Sequence, residues 1–295
     1  MSSLILLNFL DYCWLSKGLS PNTIASYRYD LEHFTVFLEK KGLTLEIADE
    51  AEVQAYLMHQ YHAKVSARSN ARFLSSLRHF YKWAKEEKWV AADPVAQIDS
   101  PKLGRALPKT LSEEAVSLLL DAPDLSSPMG LRDKAMLELL YSSGLRISEL
   151  VGLRLNRVEM PPGIIKVMGK GNKERLVPIG EEAQKWLQAY LSEAREHLLR
   201  GHADNMIFLS QKGGGMTRQA FWYRIRVYAE QAGIPGHLSP HTLRHAFATH
   251  LLNHGADLRV VQMLVGHRSV STTTIYTHVA TARLQALSQQ HHPRA

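Results

Sequence analysis

A single cysteine, Cys13, stands in a chain of 295 residues, so an internal disulfide and a thiolate-rich zinc site are both excluded. Long apolar runs are equally scarce. Leu4-Ile5-Leu6-Leu7 has no basic residue before it and meets Asp11 soon after, whereas a membrane span needs about 18 consecutive apolar residues. The run is read as neither a leader nor an anchor. There is no phosphate-binding loop: the glycines at 213–215 are followed by Met216-Thr217 rather than Lys-Ser or Lys-Thr, and read as a turn. A dinucleotide fingerprint, a Gly-x-Ser-x-Gly elbow and a carboxylate pair at metal-binding spacing are also missing. The expectation is a protein of a reducing cytoplasm with no membrane insertion, no ATP-driven step, no cofactor and no metal. Cys13, in an apolar stretch, is expected in the core.

What is present supports a folded, two-domain chain. The composition, 45% hydrophobic and 21% charged, can bury a proper core, and the length favours two domains. The formal charge of +7 is unevenly placed. Residues 1–100 hold eleven basic and twelve acidic residues, so the whole excess lies in 101–295. Prolines 94, 101 and 108 punctuate a stretch with no apolar period that contains Lys102 and Arg105 and reads as a basic linker. The boundaries drawn from this are 1–98 for an all-helical domain, 99–109 for the linker and 110–295 for a second domain.

In the first domain, Ser20-Pro21 is a capping residue followed by proline at the first helical position, and Ile24, Tyr27, Leu31, Phe34 and Leu38 continue the period. Helices are expected at about 3–16, 21–41, 49–61 and 66–87. From Lys64 to Lys88, across and just beyond the last of these, there are seven basic residues, with Arg68 and Arg72 four apart, against an apolar stripe of Phe73, Leu74, Leu77, Phe80, Tyr81 and Trp83. The second domain opens on the helix-start sequence Thr110-Leu111-Ser112-Glu113-Glu114, and a further helix is expected at about 130–142. A glycine turn then places Arg146 at a helix start. The β-branched runs 163–168 and 175–179 flank Gly169-Lys170-Gly171-Asn172-Lys173-Glu174 and predict a β-hairpin whose tip presents Lys170 and Lys173. A short strand is possible at 206–209. The fold class is mainly α with a small β-sheet, the second domain being α+β.

The chemistry-bearing residues are densest from 239 to 278. His241 and His245 have the i, i+4 spacing of a helical zinc pair, but Thr242 follows where a zinc hydrolase uses glutamate, and no third ligand is indicated. His245, His250 and His254 are read as packing or capping residues. His241 and Arg244, three apart behind Ser239-Pro240, can instead offer an imidazole and a guanidinium to one phosphate.

Arg146 in Gly-Leu-Arg-Ile-Ser-Glu-Leu, Lys170 in Gly-Lys-Gly-Asn-Lys-Glu-Arg, His241 and Arg244 in Pro-His-Thr-Leu-Arg-His, His267 after Gly266, and Tyr276 nine residues later resemble, in order and spacing, the active site of the tyrosine recombinases. The resemblance spans essentially the whole chain and is narrowest toward the bacterial members that resolve chromosome dimers. Val265 and Arg268-Ser269 depart from the usual family text, at no catalytic position.

The resemblance implies a DNA clamp of two domains, with an N-terminal core-binding domain, and a reaction in which Tyr276 attacks a phosphodiester to give a 3′-phosphotyrosyl link and a free 5′-hydroxyl. Arg146 and Arg244 would neutralise the non-bridging oxygens, His241 would serve as base, Lys170 as acid toward the leaving oxygen, and His267 would donate to the phosphate. Holding a tyrosine ionised at pH 7 costs about 4 kcal/mol from a pKa near 10, so nearby cationic groups or a base must lower that cost at Tyr276. Arg68, Arg72, Lys102, Arg105 and Lys173 are the expected DNA-backbone contacts. The implied partners are a double-stranded recombination site, a related recombinase in a tetramer with two copies of each, and a septal DNA translocase as activator, all at the nucleoid. The tail, 279–295, with Ala282, Leu284 and Leu287 on one stripe, would dock in a neighbouring protomer or else on its own domain. An integrase, a type IB topoisomerase and a non-catalytic DNA-binding protein are the alternatives.

Overall fold

Three Ser-Pro pairs start three helices by the same device. Ser20, Ser127 and Ser239 sit in extended backbone, each accepts a hydrogen bond from the amide three residues on, and a proline fills the first helical position. In the computed structural model these helices belong to two compact units, Met1–Ala106 and Leu107–Ala295. The structure describes residues 4–101, 111–168, 174–236, 238–265 and 290–293. The fold is mainly helical with one small sheet. Among the described residues no helix is long and apolar enough to cross a membrane.

The first unit contains α1 (Leu4–Leu15), α2 (Pro21–Glu39), α3 (Glu50–His62) and α4 (Ala67–Glu86). Its core is aromatic: Phe9, Phe34, Phe73, Phe80, Tyr81 and Trp83 are buried, with Phe9 edge-on to Phe80 at 5.3 Å. Each such ring contributes roughly 1.5–3 kcal/mol by leaving water, and Cys13 is buried among them. The outer face of α4 carries Arg68, Arg72, Ser75, His79 and Lys82 at helical spacing, all exposed. Two of the basic residues of this region are engaged within the unit. Arg72 forks the buried carboxylate of Asp30 at 2.8 and 2.9 Å, and Arg78 donates to the Ile98 carbonyl and the Ser100 hydroxyl.

The second unit is organised around α6 (Pro128–Ser143), which is buried on every face from Gly130 onward. The apolar residues Met136, Leu137, Leu139 and Leu140 are only part of that burial. Arg132, Asp133, Lys134 and Glu138 are buried too, and they survive there because they are paired. Asp133, wholly enclosed, accepts from Arg132, Arg224 and Tyr228 at 2.7–2.9 Å, and Lys134 bridges Asp121 and Glu138. Around α6 lie α5 (Glu113–Asp121), α8 (Glu181–Ala189), α9 (Arg195–Leu199) and α11 (Pro240–Asn253). A π-helical turn, Tyr190–Ala194, joins α8 to α9.

The sheet is antiparallel in the order β1 (Val158–Glu159), β2 (Ile164–Met168), β3 (Glu174–Pro178), with Ile165 opposite Val177 and Met168 opposite Glu174. The two-residue β1 was too short to show a period. Residues 206–209 are not a strand. Met206 bridges Arg154 and Leu209 bridges Gly215, so the chain changes pairing partner within four residues and no ladder forms. The described end of the tail lies on its own unit: His292 is buried with its ring 4.8 Å from Tyr141 and 5.7 Å from Phe247. Ala282, Leu284 and Leu287 lie outside the described residues.

Candidate active site

Helix α6 stops at Gly144, whose left-handed conformation (φ 58°) closes the helix by donating to the Leu140 carbonyl. A side chain there would also collide with Phe247, 2.5 Å from where a Cβ would sit. The turn delivers Arg146 as the N-cap residue of a short helix, α7 (Ile147–Val151). One turn on, Glu149 reaches back: its Oε2 accepts the Arg146 backbone N–H at 2.7 Å, and its Oε1 accepts from the Arg146 guanidinium at 2.9 Å. Arg175, on β3, donates from both terminal nitrogens to the same carboxylate, at 2.8 Å each. Arg244, from α11, donates to the Gly144 carbonyl at 2.5 Å.

Three guanidiniums therefore converge around one carboxylate, leaving an excess of positive charge. Burial, followed by repulsion from Arg146, pushes the Arg244 guanidinium down to about 10, with Arg175 adding to the effect and Glu149 opposing it. Burial alone would raise the Glu149 carboxyl, but hydrogen bonds and charge from Arg175, then Arg146, outweigh it and hold the group below the ordinary glutamate value. An electropositive cluster with Arg146 still about 38% exposed in its side chain is built to receive an anion, and paired guanidiniums match the geometry of a phosphate.

The structure thus brings Arg146 and Arg244 into one electrostatic neighbourhood. His241 is exposed on the first turn of α11, three residues before Arg244. Lys170, His267 and Tyr276 lie outside the described residues, as do Lys102, Arg105 and Lys173. In the first unit Arg68 and Arg72 share the exposed face of α4, although Arg72 is partly neutralised by Asp30. His250 is a packing residue, bonded to Tyr141 and the Leu111 carbonyl at 2.8 and 2.9 Å, and His254 pairs with Glu113 at 2.8 Å.

Sequence reasoning missed three features. Glu149 carried a legible signal, since a glutamate three residues after a helix start is half of a capping box. Arg175 carried none beyond its place at the end of the Gly-Lys-Gly-Asn-Lys-Glu-Arg run. The third is the outer face of α10 (Arg218–Gln231), where Trp222 and Tyr223 are exposed beside Arg218 and Arg226 while Arg224 turns inward to Asp133.

Two family models match the chain: the Phage integrase family over residues 109–283 and the Phage integrase, N-terminal SAM-like domain over residues 6–88. The chain belongs to the phage integrase family, the tyrosine recombinases, and is a DNA strand-transferring site-specific recombinase. Among its relatives, the Tyrosine recombinase XerD of Shewanella oneidensis is 55% identical over 286 residues, covering 97% of this chain and 95% of that one. The Tyrosine recombinase XerD of Pseudomonas putida is 56% identical over 286 residues, covering 97% and 96%. Of the solved structures, XerA recombinase is 30% identical with a TM-score of 0.50 and 99% of each chain covered. The XerH site-specific recombinase bound to palindromic difH substrate shares the fold at a TM-score of 0.69 and 23% identity, covering 95% of this chain and 83% of that one.

Proposed function

We propose that the chain resolves chromosome dimers by cutting and rejoining DNA at a chromosomal site through a 3′-phosphotyrosyl intermediate formed on Tyr276. The observation that carries the reading is the Arg146–Arg244 pair around Glu149. A phosphodiester gains charge on its non-bridging oxygens as the trigonal-bipyramidal transition state forms, and two guanidiniums held in a partly dehydrated site stabilise that charge where water cannot compete. The bond energy is kept in the phosphotyrosyl link, so a 5′-hydroxyl from another duplex can attack the phosphorus, release Tyr276 and exchange strands with no nucleotide hydrolysed.

In this reading His241 takes the tyrosine proton, Lys170 protonates the departing 5′-oxygen and His267 donates to the phosphate. Lys170 belongs to the segment between β2 and β3, and His241 to the helix of Arg244. The DNA backbone is held by Arg68 and Arg72 on α4, by Lys102 and Arg105 in the linker 99–109, and by Lys173. The α10 face of Arg218, Trp222, Tyr223 and Arg226 adds cations and aromatic surface, the composition that nucleic-acid contacts use. The domains 1–98 and 110–295 then clamp the duplex. The assembly is a tetramer of two copies of this chain and two of a related recombinase of the XerC kind, activated by a septal DNA translocase at the nucleoid in the cytoplasm; on assembly the 279–295 segment, whose His292 packs on its own unit in the free chain, would pass to a neighbouring protomer.

The test is incubation with a nicked suicide duplex bearing a candidate resolution site. A covalent protein–DNA complex is expected, and Tyr276→Phe should abolish it while still binding the duplex. An adduct formed by Tyr276→Phe would remove the nucleophile assignment.

A further inference from the structure

We propose that Arg175 is a positioning residue for strand cleavage: through Glu149 it fixes the Arg146 guanidinium, and it ties the strand that follows the Lys170 segment to the helix that begins at Arg146. The inference rests on the reading of Arg146 and Lys170 as catalytic groups.

The geometry is that of a shared carboxylate. Arg175 is about 7% exposed and stands opposite Val167 in the β2–β3 ladder, with its side chain crossing to α7. Glu149 Oε1 accepts from both Arg175 and Arg146, while Oε2 accepts from Arg175 and the Arg146 amide. All four bonds constrain one planar group, which in turn constrains the Arg146 side chain. Arg175 Nε is buried with no hydrogen-bond partner among the described residues, so the fork to Glu149 is what compensates this desolvated cation. Burying a guanidinium on one carboxylate is a poor route to stability, since apolar residues of similar volume commonly serve as well.

Two consequences favour a role in the reaction. With Arg175 in place, Glu149 is divided between two guanidiniums, and Arg146 keeps more of its charge for a phosphate than it would in an exclusive ion pair. Without Arg175 the carboxylate would belong to Arg146 alone and draw it inward. The second consequence is mechanical. Arg175 lies five residues after Lys170 in the sequence, and its fork ties the start of β3 to α7 beside Arg146.

The experiment measures single-turnover formation of the covalent complex on the nicked duplex, with protein saturating, for wild type, Arg175→Ala and Arg175→Lys. Displacement of a catalytic group by about 1 Å can cost about 100-fold. The expected result is a fall on the order of 10–100-fold for Arg175→Ala, an intermediate rate for Arg175→Lys, and duplex affinity within a few-fold of wild type. Guanidinium ion, at concentrations well below those that unfold the chain, should restore part of the Arg175→Ala rate where urea at the same concentration does not. Val177→Ala, buried on the same strand, controls for lost stability and should lower the melting temperature without a matching loss of rate. A wild-type rate in Arg175→Ala, rescue by guanidinium no better than urea, or an equal loss in Val177→Ala at equal melting temperature would each overturn the assignment. Failure of the wild-type chain to form any Tyr276-dependent adduct would overturn the proposed reaction and this role together. A Tyr276-dependent adduct with Arg175→Ala unimpaired overturns this role alone.

Discussion

The two units hold their basic residues in opposite ways. On α4 of the first unit, Arg68 and Lys82 stand along an exposed face in contact with solvent. In the second unit, Arg146, Arg175 and Arg244 crowd around a single carboxylate, and burial, followed by repulsion from Arg146, lowers the Arg244 guanidinium to about 10. Dispersed, hydrated charge attracts a polyanion at long range and is screened by salt. Charge compressed into a half-buried cluster stores repulsion that an incoming phosphate relieves. On the proposed reading, the first arrangement would set how tightly DNA is held and the second how fast it is cut.

That division can be broken by experiment. The largest effect is expected for Arg244→Ala, which removes one of the two guanidiniums proposed to stabilise the transition state: strand cleavage should fall by about 100- to 1,000-fold with duplex binding retained, in gel-shift and single-turnover assays run side by side. A parallel loss of binding would mean that the cluster, like the α4 face, merely attracts. Next comes Glu149→Gln. Because the Glu149 carboxyl is held below its ordinary value, the stability it contributes is fully present above about pH 4.3, its unfolded pKa, and is lost as pH falls through the lower folded value. The melting-temperature gap between wild type and Glu149→Gln should therefore be constant near neutrality and close in acid. A gap unchanged down to pH 2 would show that the carboxylate is not held by its arginines.

The smallest effects belong to α4. Arg68→Ala should weaken duplex binding a few-fold, reduce the slope of log affinity against log salt by about 0.9 per lost phosphate contact, and leave the melting temperature alone. Arg72→Ala should behave differently from its neighbour, lowering the melting temperature because it removes the counter-charge of the buried Asp30 and leaves only the Ser76 hydroxyl on that carboxylate. Equal behaviour of the two would erase the distinction between a structural and a solvated arginine on one helix face.

Much of this molecule could be read before its structure. Ser-Pro helix starts, the hairpin strands and the helix-start placement of Arg146 are local properties, decided by capping chemistry and by the period of a few neighbouring residues. Arg146 and Arg244 were legible for a further reason, since each sits in a short run whose order along the chain resembles a family. Glu149 and Arg175 were not singled out, because their meaning is a contact across 26 residues between a helix and a strand. The same holds for α6. Its sequence shows an apolar stripe and four charges that look solvent-facing, and only the positions of Asp121, Arg224, Tyr228 and the Leu209 carbonyl reveal that those charges are buried in pairs. The absent strand at 206–209 teaches the converse: a β-like composition does not make a ladder when successive residues find different partners.

Gly144 has a wider bearing than its place at the end of α6 suggests. It caps the central helix, lies flush against Phe247, and lends its carbonyl to Arg244. No other residue type satisfies all three demands, since any β-carbon meets both an unfavourable backbone conformation and an aromatic ring. Around this position, drift toward a better-packed interior and drift toward altered chemistry are not separate options for the sequence. At this joint the packing of the interior and the anchoring of Arg244 must change together.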